Sequence, residues 1–162
     1  MYDDVLLACV RGLVWDKPPL DRLFRLDFEG ANYLASSDGL GLALARVATS
    51  DAEIESGGPV MQRIERNACW ETWIEPLNLL TALDRPLRSG EIDYCTIADR
   101  PFNAALIRQW LAPFLSLGIE GAWLSDLSEE YRMLSVEGSG WIVIIMGCRD
   151  DPDMKNPRVV AA

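Results

Sequence analysis

Histidine is absent from this 162-residue sequence. Its absence removes the side chain most often used as a general base near neutral pH, and it excludes zinc sites that mix cysteine with histidine. The four cysteines are scattered without a C-x-x-C pair, so a cysteine-only metal site would need distant thiols to converge. Carboxylates at Asp126, Glu129 and Glu130 lie in a predicted hairpin loop with no nucleophile beside them, which indicates a charged turn. We therefore predict a protein that is not an enzyme, with no metal site and no cofactor.

Positive charge is scarce as well, because 15 lysine and arginine residues stand against 25 aspartate and glutamate residues, for a net charge of −10. This balance argues against broad, non-specific binding to nucleic acid or to an anionic membrane, although a local basic patch is compatible with it. No apolar run approaches the ~20 residues of a membrane span. The first ten residues, MYDDVLLACV, carry acids where a signal peptide needs bases, so we predict a cytoplasmic protein with free buried thiols.

Hydrophobic periodicity predicts one domain of mixed α+β class over residues 1–148. Apolar residues recur at three- and four-residue spacing over residues 3–15 and 101–117, which is typical of helices. In the second helix Asn103 is a good N-cap, and Pro113 should kink or shorten the helix. Alternating or continuous apolar runs predict strands at residues 23–28, 33–36, 40–47, 91–97, 119–125, 131–137 and 141–147.

The middle of the chain interrupts this pattern. Residues 49–90 are predicted to form an irregular excursion. Within it residues 60–83 fit either a strand pair or a helix, and Pro76 would interrupt either one. Residues 149–162 are polar and contain proline, which predicts a loose tail. Each half of the domain is then predicted to be a helix followed by three antiparallel strands, with both helices on one face of the sheets.

This layout resembles one domain of a DNA sliding clamp of the bacterial DNA polymerase III β-subunit type. Residues 6–14 correspond to the family's first helix, Lys17-Pro-Pro-Leu20 to its basic segment, and residues 33–44 to the turn region that opens a strand. Phe102-Asn103 opens the second helix as the family's Phe-Asn does. Met146 ends a hydrophobic strand where the family ends in a Met-Pro segment.

The sequence departs from the family at residues 60–83, which have no counterpart there. Leu40 and Gly41 also stand where the family has a histidine and an arginine, and residues 147–149 replace the segment that begins with proline. The resemblance implies a clamp-like processivity factor of DNA metabolism that assembles around duplex DNA and tethers replication or repair proteins. Because the family's rings contain several such domains, a chain with one domain would have to form a homo-oligomer.

The resemblance also implies that the two helices face the DNA, where clamps use lysine and arginine side chains to contact phosphates without reading bases. Lys17 best matches a DNA-contact position of the family. The cations available for this role are Arg11, Lys17, Arg22, Arg100 and Arg108. The alternative interpretation is that these residues are ordinary solvated surface charges.

Six tryptophans are many for a chain of this length. Trp110 and Trp141 lie on patterns that face the core. Trp70 and Trp73 lie in the excursion, where exposed aromatic side chains would mark a partner site and where satellite core packing is the alternative. They support a second hypothesis, a clamp-fold adaptor or modulator that binds another protein through residues 60–83 or an exposed sheet edge and does not encircle DNA.

Overall fold

The computed structural model describes residues 2–18, 20–46, 63–64, 70–84, 86, 93–126, 132–148 and 158–160. Cys69, the carboxylates Glu129 and Glu130, and much of the predicted excursion lie outside these residues. The described helices are α1 (Tyr2–Arg11), α2 (Pro76–Asp84) and α3 (Ala104–Leu111), which continues into a 3₁₀ segment (Ala112–Leu117). The described strands are β1 (Phe24–Phe28), β2 (Ala31–Ser37), β3 (Gly41–Ala45), β4 (Arg63–Ile64), β5 (Trp70–Trp73), β6 (Tyr94–Ile97), β7 (Arg100–Asn103), β8 (Gly121–Asp126), β9 (Arg132–Gly138), β10 (Trp141–Met146) and β11 (Arg158–Val160).

Two sheets are formed by these strands. The main sheet has the order β4–β1–β2–β3–β10–β9–β8–β5, and its pairs are antiparallel except for β4, which lies parallel to β1 over two residues. The smaller sheet has the order β11–β6–β7, in which β6 and β7 are antiparallel and β11 is parallel to β6. The α+β class predicted from the sequence is confirmed. Part of the segment predicted as a loose tail, Arg158–Val160, forms β11.

The main sheet contains two similar units that meet at its centre. In the first unit α1 precedes β1, β2 and β3, and in the second α3 precedes β8, β9 and β10. The last strands of the two units, β3 and β10, pair with each other from Ala45–Trp141 to Gly41–Ile145. This repeated order of elements agrees with the duplication expected from the sequence, while the likeness to a clamp domain stays a prediction.

One face of the main sheet is covered by α1 and α3, and we call it the helix face. Leu6 and Val10 of α1 and Ile107 and Trp110 of α3 belong to a single buried cluster. That cluster includes the sheet residues Leu34, Ala43, Ala45, Val143 and Ile145. Both helices therefore lie on the same side of the sheet, because strand residues two positions apart point to one face.

The other face of the main sheet, the opposite face, buries a second apolar cluster. Phe24, Leu26 and Phe28 alternate along β1 with Arg25 and Asp27, as expected for a strand with one buried face. The register places further apolar residues beside them, namely Ala35, Leu44, Ile142 and Ile144. The central strands β3 and β10 are thus buried on both faces, which explains their nearly continuous apolar sequences.

The boundaries of both predicted helices differ from the structure. α1 ends at Arg11, so residues 12–15 are not α-helical, and Gly12 follows directly after its last turn. The predicted second helix begins only at Ala104, because residues 100–103 form β7. Asn103 is the N-cap, as predicted, and its side chain accepts a hydrogen bond of 3.1 Å from the backbone N–H of Leu106. The α-helix then gives way to the 3₁₀ segment ahead of Pro113.

Candidate functional site

The five cations implied by the clamp resemblance lie on different elements. Arg11 ends α1, Arg100 begins β7 and Arg108 lies on α3, whereas Lys17 and Arg22 lie in the connection between α1 and β1. The exposed positions on α3 and just after it carry no charge, and they are Ala105, Gln109 and Ala112. These three positions therefore offer no positive charge to DNA phosphates.

Arg108 has a structural role within the chain. Its guanidinium forms an ion pair with Asp93, just before β6, and donates a hydrogen bond of 3.2 Å to the backbone oxygen of Leu83 near the end of α2. A cation near the C-terminus of a helix is favourable because the last carbonyl groups carry partial negative charge. Arg108 thus connects α3 to α2 and to the smaller sheet.

Arg22 and Lys17 each lie close to a neighbouring side chain. Arg22 lies 3.5 Å from the carboxylate of Asp21. The Nζ atom of Lys17 lies 5.1 Å from the centre of the Trp15 ring, within the range of a cation–π contact. Their role as phosphate contacts stays a prediction.

β5, the last strand of the main sheet, carries a more distinctive feature. The register places Trp73 of β5 opposite Trp123 of β8, and their ring centroids lie 5.1 Å apart with an angle of 76° between the planes. This edge-to-face geometry is favourable for aromatic pairs. Trp73 keeps 46% of its surface exposed, and its role as a partner contact stays a prediction.

A bulge in β5 changes the pairing of position 70 with β8. The register shifts between Trp70 and Thr72, so that Trp70 stands opposite Ser125 while Trp73 stands opposite Trp123. Ser125 and Trp123 are two residues apart in β8 and so belong to the same face. Because of the bulge in β5, positions 70 and 73 lie opposite two β8 residues of the same face.

Gly121 makes room for the tryptophan pair. A Cβ atom at position 121 would lie 3.0 Å from the Trp73 ring and closer still to the ring of Trp123, so the Trp123 ring rests against the backbone there. Neither Gly121 nor Trp123 was singled out in the sequence. The alternation of residues 119–125 could have placed Trp123 on one strand face, but its partner depends on the register with β5.

Three glutamates lie near this pair in sequence or in strand register. Glu75 follows Trp73 by two residues and is exposed, and Glu120 precedes Gly121 and is exposed. Glu137 stands opposite Gly121 in the β8–β9 register. We call the surface formed by Trp73, Trp123, Gly121 and these three glutamates the aromatic edge. It offers an apolar contact area with a negative rim.

The chain was also compared with known proteins. No protein-family model, curated protein or solved structure matches it.

Groups suited to catalysis or metal binding are few in the described part of the chain. No three His, Cys, Asp or Glu residues gather there in a way that could hold a metal ion. Cys9, Cys95 and Cys148 are free thiols, and burial raises the pKa of the Cys9 and Cys148 thiols above its ordinary value. Both are therefore protonated near neutral pH and are weak nucleophiles. Among the described helices, none combines the length and apolar character needed to cross a membrane.

Proposed function

We propose that the protein is a non-catalytic cytoplasmic adaptor that binds another protein through the aromatic edge. The observation that carries this proposal is Trp73, a large aromatic residue that is 46% exposed on the last strand of the sheet and contacts Trp123. Tryptophan is enriched among the residues that dominate binding energy at interfaces. A ring held by a neighbour also loses little side-chain entropy when a partner covers it.

The partner we propose is an extended protein segment that adds to β5. Among the described residues, no strand pairs with the outer side of β5, and an edge strand offers backbone groups to an incoming strand. The negative rim at Glu75, Glu120 and Glu137 complements positive charge. The segment should therefore carry an apolar side chain for Trp73 and lysine or arginine residues beside it.

The test is a selection from a random peptide library displayed on phage, with the whole protein immobilised. Selected peptides should be enriched in lysine, arginine and aromatic residues. Trp73→Ala should weaken their binding by about thirtyfold, because truncating a central tryptophan costs roughly 2 kcal/mol. Trp15→Ala is the matched control, since Trp15 is similarly exposed at 38% but lies between α1 and β1.

Binding is measured by fluorescence anisotropy of labelled peptides, and circular dichroism checks that each variant is folded. Equal affinities of Trp73→Ala and the unchanged protein would refute the proposal. Equal losses in Trp73→Ala and Trp15→Ala would also contradict it, because the contact would then not be specific to the aromatic edge. Selected peptides without excess positive charge would contradict the role of the glutamate rim.

The second candidate is a clamp-like homo-oligomer that tethers replication or repair proteins to duplex DNA. The arrangement of α1 and α3 on one face of an antiparallel sheet, each ahead of three strands, supports it. Light scattering should then give an oligomeric mass, and a fluorescent duplex should bind at low salt and dissociate as salt rises. Lys17→Ala should weaken that binding more than Arg46→Ala, an exposed cation outside the predicted set. A monomer that does not bind duplex at low salt would reject this candidate.

A further inference from the structure

The opposite face of the main sheet contains a cavity of about 260 Å³. Phe24, Leu42 and Ile144 line it from three strands, and Met133 and Met146 line it from β9 and the end of β10. Leu40, in the turn between β2 and β3, is also part of the lining and is 57% exposed. The residues that line this cavity are all different from those of the aromatic edge.

The described lining has no charged group and little free hydrogen-bonding capacity. Its one polar side chain is Ser37, whose hydroxyl donates to the backbone oxygen of Gly41 at 2.7 Å and accepts from the N–H of Gly39 at 3.1 Å. A charged or strongly polar ligand would lose its hydration without gaining partners there. The lining therefore selects an uncharged apolar ligand.

The wall of the cavity is fixed on one side and adaptable on the other. In the β2–β3 turn the carboxylate of Asp38 accepts hydrogen bonds from the N–H groups of Leu40 (2.9 Å) and Gly41 (2.8 Å). These bonds fix the backbone at Leu40, whose apolar side chain lies at the rim of the cavity and remains in contact with water. Met133 and Met146, by contrast, have unbranched side chains that adjust to the shape of a ligand.

We propose that this cavity binds a small, uncharged, apolar molecule. A closed apolar cavity of about 150 Å³ accommodates benzene, so in proportion this one suits a molecule of roughly ten non-hydrogen atoms. Bicyclic aromatic compounds have this size. The proposal is independent of protein binding at the aromatic edge, since either site could function without the other.

The test uses the whole protein with 13C-methyl-labelled methionine and naphthalene as the probe. Saturable shifts of the Met133 and Met146 methyl resonances are expected, and naphthalene-2-sulfonate should bind at least about tenfold more weakly because its charge would be buried without a partner. Met146→Lys should weaken naphthalene binding by a similar factor. Leu115→Lys is the matched control, because Leu115 is 45% exposed in the 3₁₀ segment after α3 and is not part of the lining.

The absence of a saturable shift of Met133 and Met146 up to the solubility limit of naphthalene would overturn the proposal. Equal binding of naphthalene and its sulfonate would overturn it as well, because the site would then not select against charge. Equal losses of naphthalene affinity in Met146→Lys and Leu115→Lys would also overturn the proposal, because binding would then not depend on the lining of the cavity. If Met146→Lys fails to fold, the comparison of the two probes on the unchanged protein decides the question.

Discussion

Replacing Gly41 with alanine should destabilise the protein strongly. A Cβ atom at position 41 would lie within 3.0 Å of three atoms of the Trp110 indole, Cε2, Cδ2 and Nε1. Trp110 is fully buried between α3 and β3, so its ring has no solvent-facing space into which it could move. Overpacking in cores costs typically 1–3 kcal/mol, and we expect about 3 kcal/mol here. For a chain of this size that corresponds to a fall in Tm of roughly 6–12 °C.

Urea unfolding followed by far-UV circular dichroism measures this effect. Gly12→Ala is the matched control, because a Cβ atom at position 12 would meet Ala8 O at 3.4 Å and Cys9 O at 3.6 Å, which are ordinary contact distances. Its free energy of unfolding should stay within about 0.5 kcal/mol of the unchanged protein.

A double-mutant cycle identifies the cause. Trp110→Phe removes part of the indole, so Gly41→Ala should cost at least about 1 kcal/mol less in that background than in the unchanged protein. Equal unfolding midpoints for Gly41→Ala and the unchanged protein would refute the close contact. A full-sized effect of Gly41→Ala in the Trp110→Phe background would show that the destabilisation has another origin.

Two further predictions concern the N-cap of α3 and the thiols. Asn103→Ala should lower the free energy of unfolding by about 1 kcal/mol, because the N-cap acceptor for the Leu106 N–H is lost. Asn103→Asp should keep most of the stability of the unchanged protein, because aspartate also caps helices. Equal urea midpoints for the two variants would contradict the role of the cap. Burial raises the pKa of Cys9 and Cys148 in the folded state, so the unfolded chain releases these protons first. The free energy of unfolding should therefore be unaffected at pH values below the ordinary thiol pKa. It should fall as the pH rises from the ordinary thiol pKa through the raised pKa of the folded state. Between pH 7 and about 9.5 the Cys148→Ala variant should lose less stability than the unchanged protein, and identical losses would contradict this reasoning.

The strands of the main sheet were predictable because their side chains alternate or are continuously apolar. β1 shows the alternation from Phe24 to Phe28, and β10 shows the continuous pattern of a strand buried on both faces. The cap at Asn103 was predictable for a similar reason, since a local side-chain bond decides it.

β7 was not predicted, because its turn contains no glycine. Ala98 and Asp99 connect β6 to β7 with φ angles of 49° and 62°, a conformation that glycine or asparagine usually supplies. Residues 101–103 were assigned to the predicted helix over residues 101–117. Pro101 is tolerated in β7 because that strand lies at the edge of the smaller sheet, where the missing N–H is not needed.

The candidate site was predictable only in part. Trp73 was predicted as a partner contact because tryptophan is frequent at interfaces. Its neighbours Trp123 and Gly121 could not be predicted, because the β5–β8 register and its bulge bring them beside Trp73. The ion pair of Arg108 with Asp93 joins residues on separate elements and could not be inferred from charge alone. Local patterns specify elements, whereas pairs across elements require the tertiary fold.

The pairing of β3 with β10 has a consequence for synthesis on the ribosome. β3 is buried on both faces, yet one of its two neighbours is made only when residues 141–146 are translated. Until then the nascent chain presents an apolar strand with one open side, the kind of surface that other chains can join. Truncation ahead of residue 141 would leave that side permanently open, so shortened products of this chain should aggregate during expression.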